Sequence, residues 1–600
     1  MSDKLADIRN LRFMVYEVLK AEELTQHEYF QDHSKETFDM AIDAAYQMAQ
    51  EVFWPSLRPL DREGPTFDGT KTTVPPLMHE VYRKAVEAGW TAPSADYEYG
   101  GQQFPLTITN TGAFLLNAGN SPALMYVGSA TGAADLLSSF ATQELKDLYA
   151  EKLYSGQWGG TMALTEPHAG SSLGDITATA VKSPDGDHYM IKGVKRFISS
   201  GDHDLTENII HPTLVRIEGA PSGVKGISMM LVPKYRPDEN GNAGEFNDVN
   251  TAGIEDKLGL KLSTTATLNF GENDDCHGWL LGEENKGLSH MFQLMNHARI
   301  NTGSQGVAGA SAAYYCALEY ANDRVQGREL TNKDAKLPPI PIIRHADVRR
   351  MLLHQKAYIE GALGLVLFAS NLMDKIKVAD NEEERKRLHN ILEVTTPIIK
   401  AHGSEGSFDS VTTALQCFGG AGYTEEVPIA QLLRDSKVYS IYEGTTGIQA
   451  MDLLGRKLTM NNGAASMAMM EEVTKTLEEA KTIESIKPLA EKAENLQSKI
   501  AETLMGLFSV AQTGDTNLFM CNATPFLEAF SQMLMSWQWV SQAIVAQQAL
   551  DAGTDETDFY EAKLKTAQYY INWVTPQALA TLSTIQTNER TALDFKEEWF

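Results

Sequence analysis

Glu443 stands between Tyr442 and Gly444 in the run "SKVYSIYEGTTGIQAMDLLGRK", Ser436–Lys457, just ahead of two threonines and an apolar spacing that predicts a helix. A carboxylate in this position has two possible chemistries. It can serve the positive end of the helix dipole, which is worth about 0.3–1 kcal/mol. Held among apolar groups instead, it loses hydration, its pKa rises, and it becomes a stronger base toward a proton on carbon. Taken alone, the dipole role is the commoner. Three other stretches bear on the choice. "MALTEPHAGSS", Met162–Ser172, gathers hydroxyls, a proline and a glycine, and by itself reads as a strand leading into a turn. "KRFISSG", Lys195–Gly201, sets an aromatic before hydroxyls, as an ordinary strand end does. "LQCFGGAGYTEEVPIAQLLRD", Leu415–Asp435, has glycines that allow close backbone approach to a ligand, or equally close a helix with a C-cap and turn.

The elements that must position these residues follow from periodicity. Up to about residue 155 the chain reads as helices. In "ELKDLYAEKLYSG", Leu145, Leu148, Tyr149 and Leu153 fall on one helical face and Gly156 supplies a stop. Near Gly159 the pattern shortens into apolar and alternating segments. "SPDGD" between them is a turn in which Pro184 presets φ and Gly186 tolerates positive φ. Helical spacing returns at "GEENKGLSHMF" and lasts to about Lys457; Thr459–Ser466 reads as a linker. Beyond it Leu496, Ile500, Leu504, Leu507 and Phe508 make one apolar stripe, and Phe530, Leu534, Trp537 and Val540–Ile544 suggest another. Trp537, Trp539 and Trp573 are expected in the core. The fold class is α+β, mostly α: a helical N-domain (1–158), a middle β domain (159–280), a helical bundle (281–458) and a further C-terminal helical region (466–600).

Composition narrows the function classes. A chain of 600 residues exceeds one ordinary domain, and 43% hydrophobic residues suit sizeable cores. A formal charge of −28 with no dense Lys/Arg run argues against nucleic acid and anionic lipid. Cys276, Cys316, Cys417 and Cys521 are scattered without a CxxC pair, which favours reduced thiols. The start "MSDKLADIRNLRF" lacks a continuous apolar segment of signal-peptide type, and no run of about 18 apolar residues predicts a membrane span. A cytoplasmic location is expected. No GxGxxG after a strand, P-loop, HExxH or GxSxG elbow appears, and His277 beside Cys276 lacks further ligands, so no metal site is expected.

Taken together and in order, the four stretches resemble the acyl-CoA dehydrogenase family. Its members carry a TEPxAGS loop, a W-I-T type strand, an arginine in a helix, a Q-x-x-G-G-x-G segment and R-D-x-K-x-x-x-I-Y-E-G-T. Here these read Thr165–Ser171, Phe197–Ser199, Arg324 in "YANDRVQGR", Gln416–Gly422 and Arg434–Thr445. The resemblance covers residues 40–457, and the C-terminal region resembles the extension of longer bacterial members, including those that oxidise 3-methylthiopropionyl-CoA.

The resemblance implies a helical N-domain, a β-barrel-like middle domain and a helical bundle, with FAD between the latter two and part of its site built by a second subunit. It implies removal of an α-proton and a β-hydride from an acyl-CoA thioester, with electrons passed to an electron-transfer flavoprotein. Glu443 becomes the base: branches that draw it from an earlier helix place it just before an arginine, and Ala298 precedes Arg299 here. The glutamate's own backbone N–H serves the thioester oxygen in such enzymes. Ile441 and Tyr442 are expected to desolvate the carboxylate. Met162, Leu164, Thr165 and Ser171 should border the flavin, and Phe197 and Ser199, in place of the family's Trp and Thr, should lie on the ring. Arg324, His345, Gln416, Gly419, Gly420 and Thr445 should contact the rest of FAD. Ser171, Asn296, Arg299, Tyr442 and Gly444 should contact the substrate. Gly447 stands where several members have Gln and Ser172 where Asp is frequent. A homodimer is expected, with the extension covering the surface that shorter relatives use to form tetramers. The alternatives are an oxidase using O2 and a non-catalytic flavoprotein of the same superfamily; the retained Glu443 and the acidic charge disfavour the last.

Overall fold

The computed structural model describes residues 4–331, 334 and 336–600, and their side chains except those of Gln293 and Leu294. The chain folds as two compact units. One comprises Ile42–Pro105 and Leu115–Ala298; the other comprises Met1–Ala41, Leu106–Phe114 and Arg299–Phe600.

The first unit is built around strands β1 (Gly159–Gly160), β2 (Thr179–Lys182), β3 (Tyr189–Ser199), β4 (Ile209–Ile217), β5 (Ile227–Pro233), β6 (Val249–Ile254), β7 (Thr265–Phe270) and β8 (His277–Leu280). Their order is β6-β7-β3-β8-β5-β4-β1, and β2 bonds to both β3 and β4. That double pairing, antiparallel to β3 and parallel to β4, joins β2, β3, β8, β5 and β4 into a closed ring, the barrel-like form expected. Period-2 geometry explains why β5, apolar but for Ser228, is buried on both faces. Ile227, Met229 and Leu231 enter one core with Leu137 and Leu153 from helices and Trp158 from the turn before β1, while Met230 and Val232 enter a second core with Ile191, Val215 and Phe270. The local turn chemistry holds as read. The helix Gln143–Tyr154 is followed by Gly156 at φ +72°, and the β2–β3 turn has Gly186 at φ +84°.

The second unit is helical. Helices α1 (Gly287–Asp323, from Arg299 onward), α2 (Ala346–Lys377), α3 (Glu382–Phe418) and α4 (Thr446–Gly455) form its first part. Asn381 starts α3 as an N-cap, accepting from Glu384 N, with acidic residues in the first turn as the dipole favours. Helices α1 and α3 touch backbone to backbone: a Cβ placed on Gly403 would lie 2.7 Å from Gly303 Cα. Tyr320 stacks on Phe418 with ring centroids 4.4 Å apart, so the C-terminal ends of α1 and α3 lie side by side.

The extension follows as α5 (Ala464–Lys481), α6 (Lys487–Gln512), α7 (Ala523–Asp551), α8 (Thr557–Trp573) and α9 (Thr575–Ile585). The stripe Leu496, Ile500, Leu504 and Leu507 is buried, as are Phe530, Leu534, Trp537 and Trp539. Trp573 departs from the core expectation. It is the last residue of α8, 57% exposed, and stacks on Tyr569 at the surface. The described residues from 4 to 41 belong to this unit, whereas Ile42–Pro105, next in sequence, belong to the other. Arg9 forks onto both carboxylate oxygens of Glu556 at 2.8 Å, and Lys563 bonds to Asn10. Among the described residues no helix is long and apolar enough to cross a membrane.

Candidate active site

The loop between Ser440 and α4 has a backbone that few sequences would choose. Glu443 sits at φ +55° and Gly444 at φ +87°. Left-handed φ suits glycine but strains glutamate, and such strain concentrates at functional positions. Neighbouring donors hold it. Gln449 Nε2 donates to the Glu443 carbonyl at 3.0 Å, and Lys400 Nζ donates to the Gly444 carbonyl at 2.5 Å. Thr445 is the N-cap of α4, accepting from Ile448 N, and Thr446 donates to Glu405 at 2.6 Å. The capping role is therefore filled without Glu443. Among the described residues, neither the N–H of Glu443 nor that of Gly444 has a protein acceptor.

The carboxyl group of Glu443 is raised above the ordinary glutamate range by burial, which outweighs the opposing pull of Arg299 and Lys400. Ile441 does not supply that burial. It is 57% exposed, because the turn after Ser440 aims it at solvent. Tyr442 does lie inward, its hydroxyl donating to Gln305 Oε1 at 2.8 Å. Arg299 is 3% exposed and donates to Asp452 at 3.1 Å; Asp452 also accepts from Arg456 at 2.7 Å. Asn296 is half-buried on α1, in the other unit. Lys400 is fully buried, and burial pushes its ammonium pKa down to about 8 against the pull of Glu443 and Glu405.

In the β unit the structure brings two of the sequence motifs together. Arg196 N, on β3, donates to the Thr165 carbonyl at 2.8 Å, so the Met162–Ser171 loop is stitched to the end of the strand bearing Phe197 and Ser199. Phe197 has φ +61° and is 53% exposed, with the Arg196 guanidinium 4.8 Å from its ring centroid. Ser199 is paired with Thr265 of β7. Met162 and Leu164 pack partly into the helical core, and Ser171 is exposed. Beneath the loop Glu166 is buried and accepts from Thr177 N, Thr177 Oγ1, Ala178 N and Lys195 Nζ, all within 2.9 Å. Burial opposes its ionisation, but Lys195 and the backbone donors outweigh that and hold it below the usual range.

Arg324 lies one residue beyond α1, not within a helix as the motif implied, since α1 ends at Asp323. Its carbonyl accepts from Ile342 N, and His345 Nε2 lies 2.7 Å from the Gln326 carbonyl, so Arg324 and His345 share one small loop pairing. Gln416, Gly419 and Gly420 are exposed at the end of α3, with Gly419 at φ +59° and open space where a Cβ of either glycine would stand. The Tyr320–Phe418 stack sets this end beside the end of α1 that leads into Arg324. Sequence reasoning did not single out Lys400, Gln449 or Lys195 as working residues. The one local signal was Lys400, a lone cation in the apolar run "TTPIIKAHG".

Four consecutive segments match domains of one family: "Acyl-CoA dehydrogenase, N-terminal domain" over 35–157, "middle domain" over 161–272, "C-terminal domain" over 285–458, and "Acetyl-CoA dehydrogenase C-terminal like" over 469–596. A butyryl-CoA dehydrogenase of Syntrophomonas wolfei is 34% identical over 99% of each chain. The chain belongs to the acyl-CoA dehydrogenase family. A 3-methylmercaptopropionyl-CoA dehydrogenase of Ruegeria pomeroyi is 33% identical over 97% of each chain, which bears out the likeness to the long bacterial members. An acyl-CoA dehydrogenase of Bacillus anthracis, solved in complex with FAD, shares the fold with a TM-score of 0.73 at 21% identity, over 96% of this chain and 91% of that one.

Proposed function

We propose that the protein catalyses the α,β-dehydrogenation of an acyl-CoA thioester to the trans-2-enoyl-CoA, with Glu443 as the base and FAD as cofactor. The observation that carries the assignment is the strained, clamped Glu443, whose carboxyl is raised by burial beside backbone N–H groups without protein acceptors. An α-proton is too weak an acid for a hydrated carboxylate. A desolvated Glu443 accepts it at a carboxylate oxygen, while the Glu443 N–H donates to the thioester oxygen as negative charge develops there.

The residues present fit a flavin. Phe197 offers a half-exposed aromatic ring on the strand end that Arg196 N ties to Thr165, and Ser199, Met162, Leu164 and Ser171 are assigned to the same flavin border. Arg324 and His345 offer donors, Gln416 and the open backbone of Gly419 and Gly420 allow close approach, and Thr445 stands at the start of α4. Arginine suits the pyrophosphate because its planar fork bonds two oxygens. Bound FAD supplies the acceptor for the β-hydride. Ser171, Asn296, Arg299, Tyr442 and Gly444 are assigned to the substrate side; Arg299, tied to Asp452, acts there as a fixed charge near Glu443.

The reading continues to an electron-transfer flavoprotein as electron acceptor, a homodimer and a cytoplasmic location. Titration of the purified flavoprotein with a panel of acyl-CoAs tests it. Bleaching of the flavin band by at least one thioester is expected, and a band unmoved by every acyl-CoA would reject the function.

A further inference from the structure

Resting on that reading of Glu443, we propose that Lys400 is a positioning residue for the proton transfer: its bond to the Gly444 carbonyl holds the loop so that Glu443 faces its substrate, and its ammonium favours the ionised carboxylate. The geometry has two parts. The carbonyls of Glu443 and Gly444 are taken by Gln449 Nε2 at 3.0 Å and Lys400 Nζ at 2.5 Å, so neither peptide can rotate without breaking a bond made inside the protein. The bond to the Glu443 carbonyl fixes the Gly444 N–H of the same peptide, and among the described residues that N–H and the Glu443 N–H one peptide earlier have no protein acceptor and are left for a ligand. Lys400 is itself fixed by α3, one turn before the Gly403–Gly303 contact, and has no exposed surface through which to move. A buried cation needs a reason: without compensation its desolvation is unfavourable by several kcal/mol.

The charges around this centre come from several elements. Arg299 on α1 and Lys400 on α3 both act on Glu443. Glu405, one turn along α3, acts on Lys400 but also meets Lys437 at 3.6 Å and Thr446. Asp452 on α4 and Arg456 just beyond it face Arg299, and the buried Lys457, paired with Glu393, also senses it. Asp452 and Glu393 thus answer Arg299 and Lys457 respectively, whereas Lys400 donates to a backbone carbonyl in the loop of the base. Removing its charge makes ionisation of Glu443 harder, so the acid limb of kcat/KM moves to higher pH.

The test is the pH profile of the holoenzyme with its best acyl-CoA substrate, for wild type, Lys400→Met, Lys400→Arg and Gln449→Met. Lys400→Met should lower kcat by roughly ten- to a hundredfold, as misplacement of a reacting group does, and move the acid limb up by roughly half a pH unit or more. Gln449→Met removes the companion bond without a charge and should lower kcat with the limb in place. Lys400→Arg should return the limb to its wild-type position. A folded Lys400→Met enzyme with wild-type kcat and limb overturns the proposal. Should Lys400→Met fail to fold, an unchanged kcat in Gln449→Met or an upward-shifted limb in Lys400→Arg overturns it, and the opposite results support it. Failure of the underlying function would look different: no wild-type turnover of any acyl-CoA, or normal turnover in Glu443→Gln.

Discussion

Lys195 and Glu166 meet at 2.9 Å with side chains 0% and 1% exposed, directly under the loop that carries Thr165. The same ammonium also donates to the Leu164 carbonyl at 3.0 Å. A single buried lysine thus fixes both the acid and the backbone of the motif. Removing one partner of such a pair leaves an uncompensated buried charge, an effect of about 3–5 kcal/mol. Lys195→Met should therefore lower the thermal midpoint of the β unit and release flavin, measured as the ratio of flavin to protein absorbance after gel filtration.

Glu443→Gln keeps the size and hydrogen-bonding capacity of the side chain and removes the base. The yellow holoenzyme should persist, while turnover falls by about 10²–10⁴-fold, the usual contribution of a positioned general base. Steady-state assays with an artificial electron acceptor measure it, and near-normal rates would remove Glu443 from the mechanism.

In the helical unit the buried Glu360 joins the half-buried Lys356 and the buried Lys563, with Lys563 Nζ at 2.7 Å. Burial acts against the carboxylate, but the two ammonium groups outweigh it and lower its pKa to about 2. A carboxyl depressed in the folded state contributes stability above its unfolded value, about 4.3, and loses that contribution as pH falls toward 2. Glu360→Gln should flatten the acid side of the stability profile below about pH 4.3, followed by urea unfolding monitored by far-UV circular dichroism.

Gly403→Ala puts a methyl group 2.7 Å from Gly303 Cα. Overpacking of this kind is unfavourable by about 1–3 kcal/mol. Because Arg299 and Lys400 lie one turn before the crossing on their respective helices, the variant should lose activity along with stability, whereas Gly514→Ala, in an open loop, should lose no activity. Parallel thermal melts and rate measurements compare the two.

The proposed homodimer is checked by gel filtration with light scattering, where a mass near twice 66.1 kDa is expected. A tetramer would mean that the C-terminal helices leave the relevant face open.

What the sequence made legible was whatever depends on neighbours in the chain. Gly156 and Gly186 behave as their local patterns required, and the strand and helix periods mark the β unit and the buried stripe of α6. The motif residues Thr165 and Phe197 were legible as a group through their resemblance, but not their link, because the Arg196–Thr165 bond depends on how β3 lies against the loop. Lys400 was hidden for the same reason. Its partner carbonyl is 44 residues away, and only the Gly303–Gly403 crossing decides what α3 faces. Ile441 misled because a hydrophobic residue beside an acid suggests shelter, while the turn directs that side chain outward.

The bond from Arg9 to Glu556 spans 547 residues. During synthesis at about 5–20 residues per second, Arg9 therefore waits roughly half a minute to two minutes for its partner to leave the ribosome. Through that interval Phe13, sealed in the finished molecule, lacks the Phe559 and Tyr560 rings that its own ring meets there. A nascent polypeptide halted before residue 556 should leave Phe13 without those rings and open to chaperones.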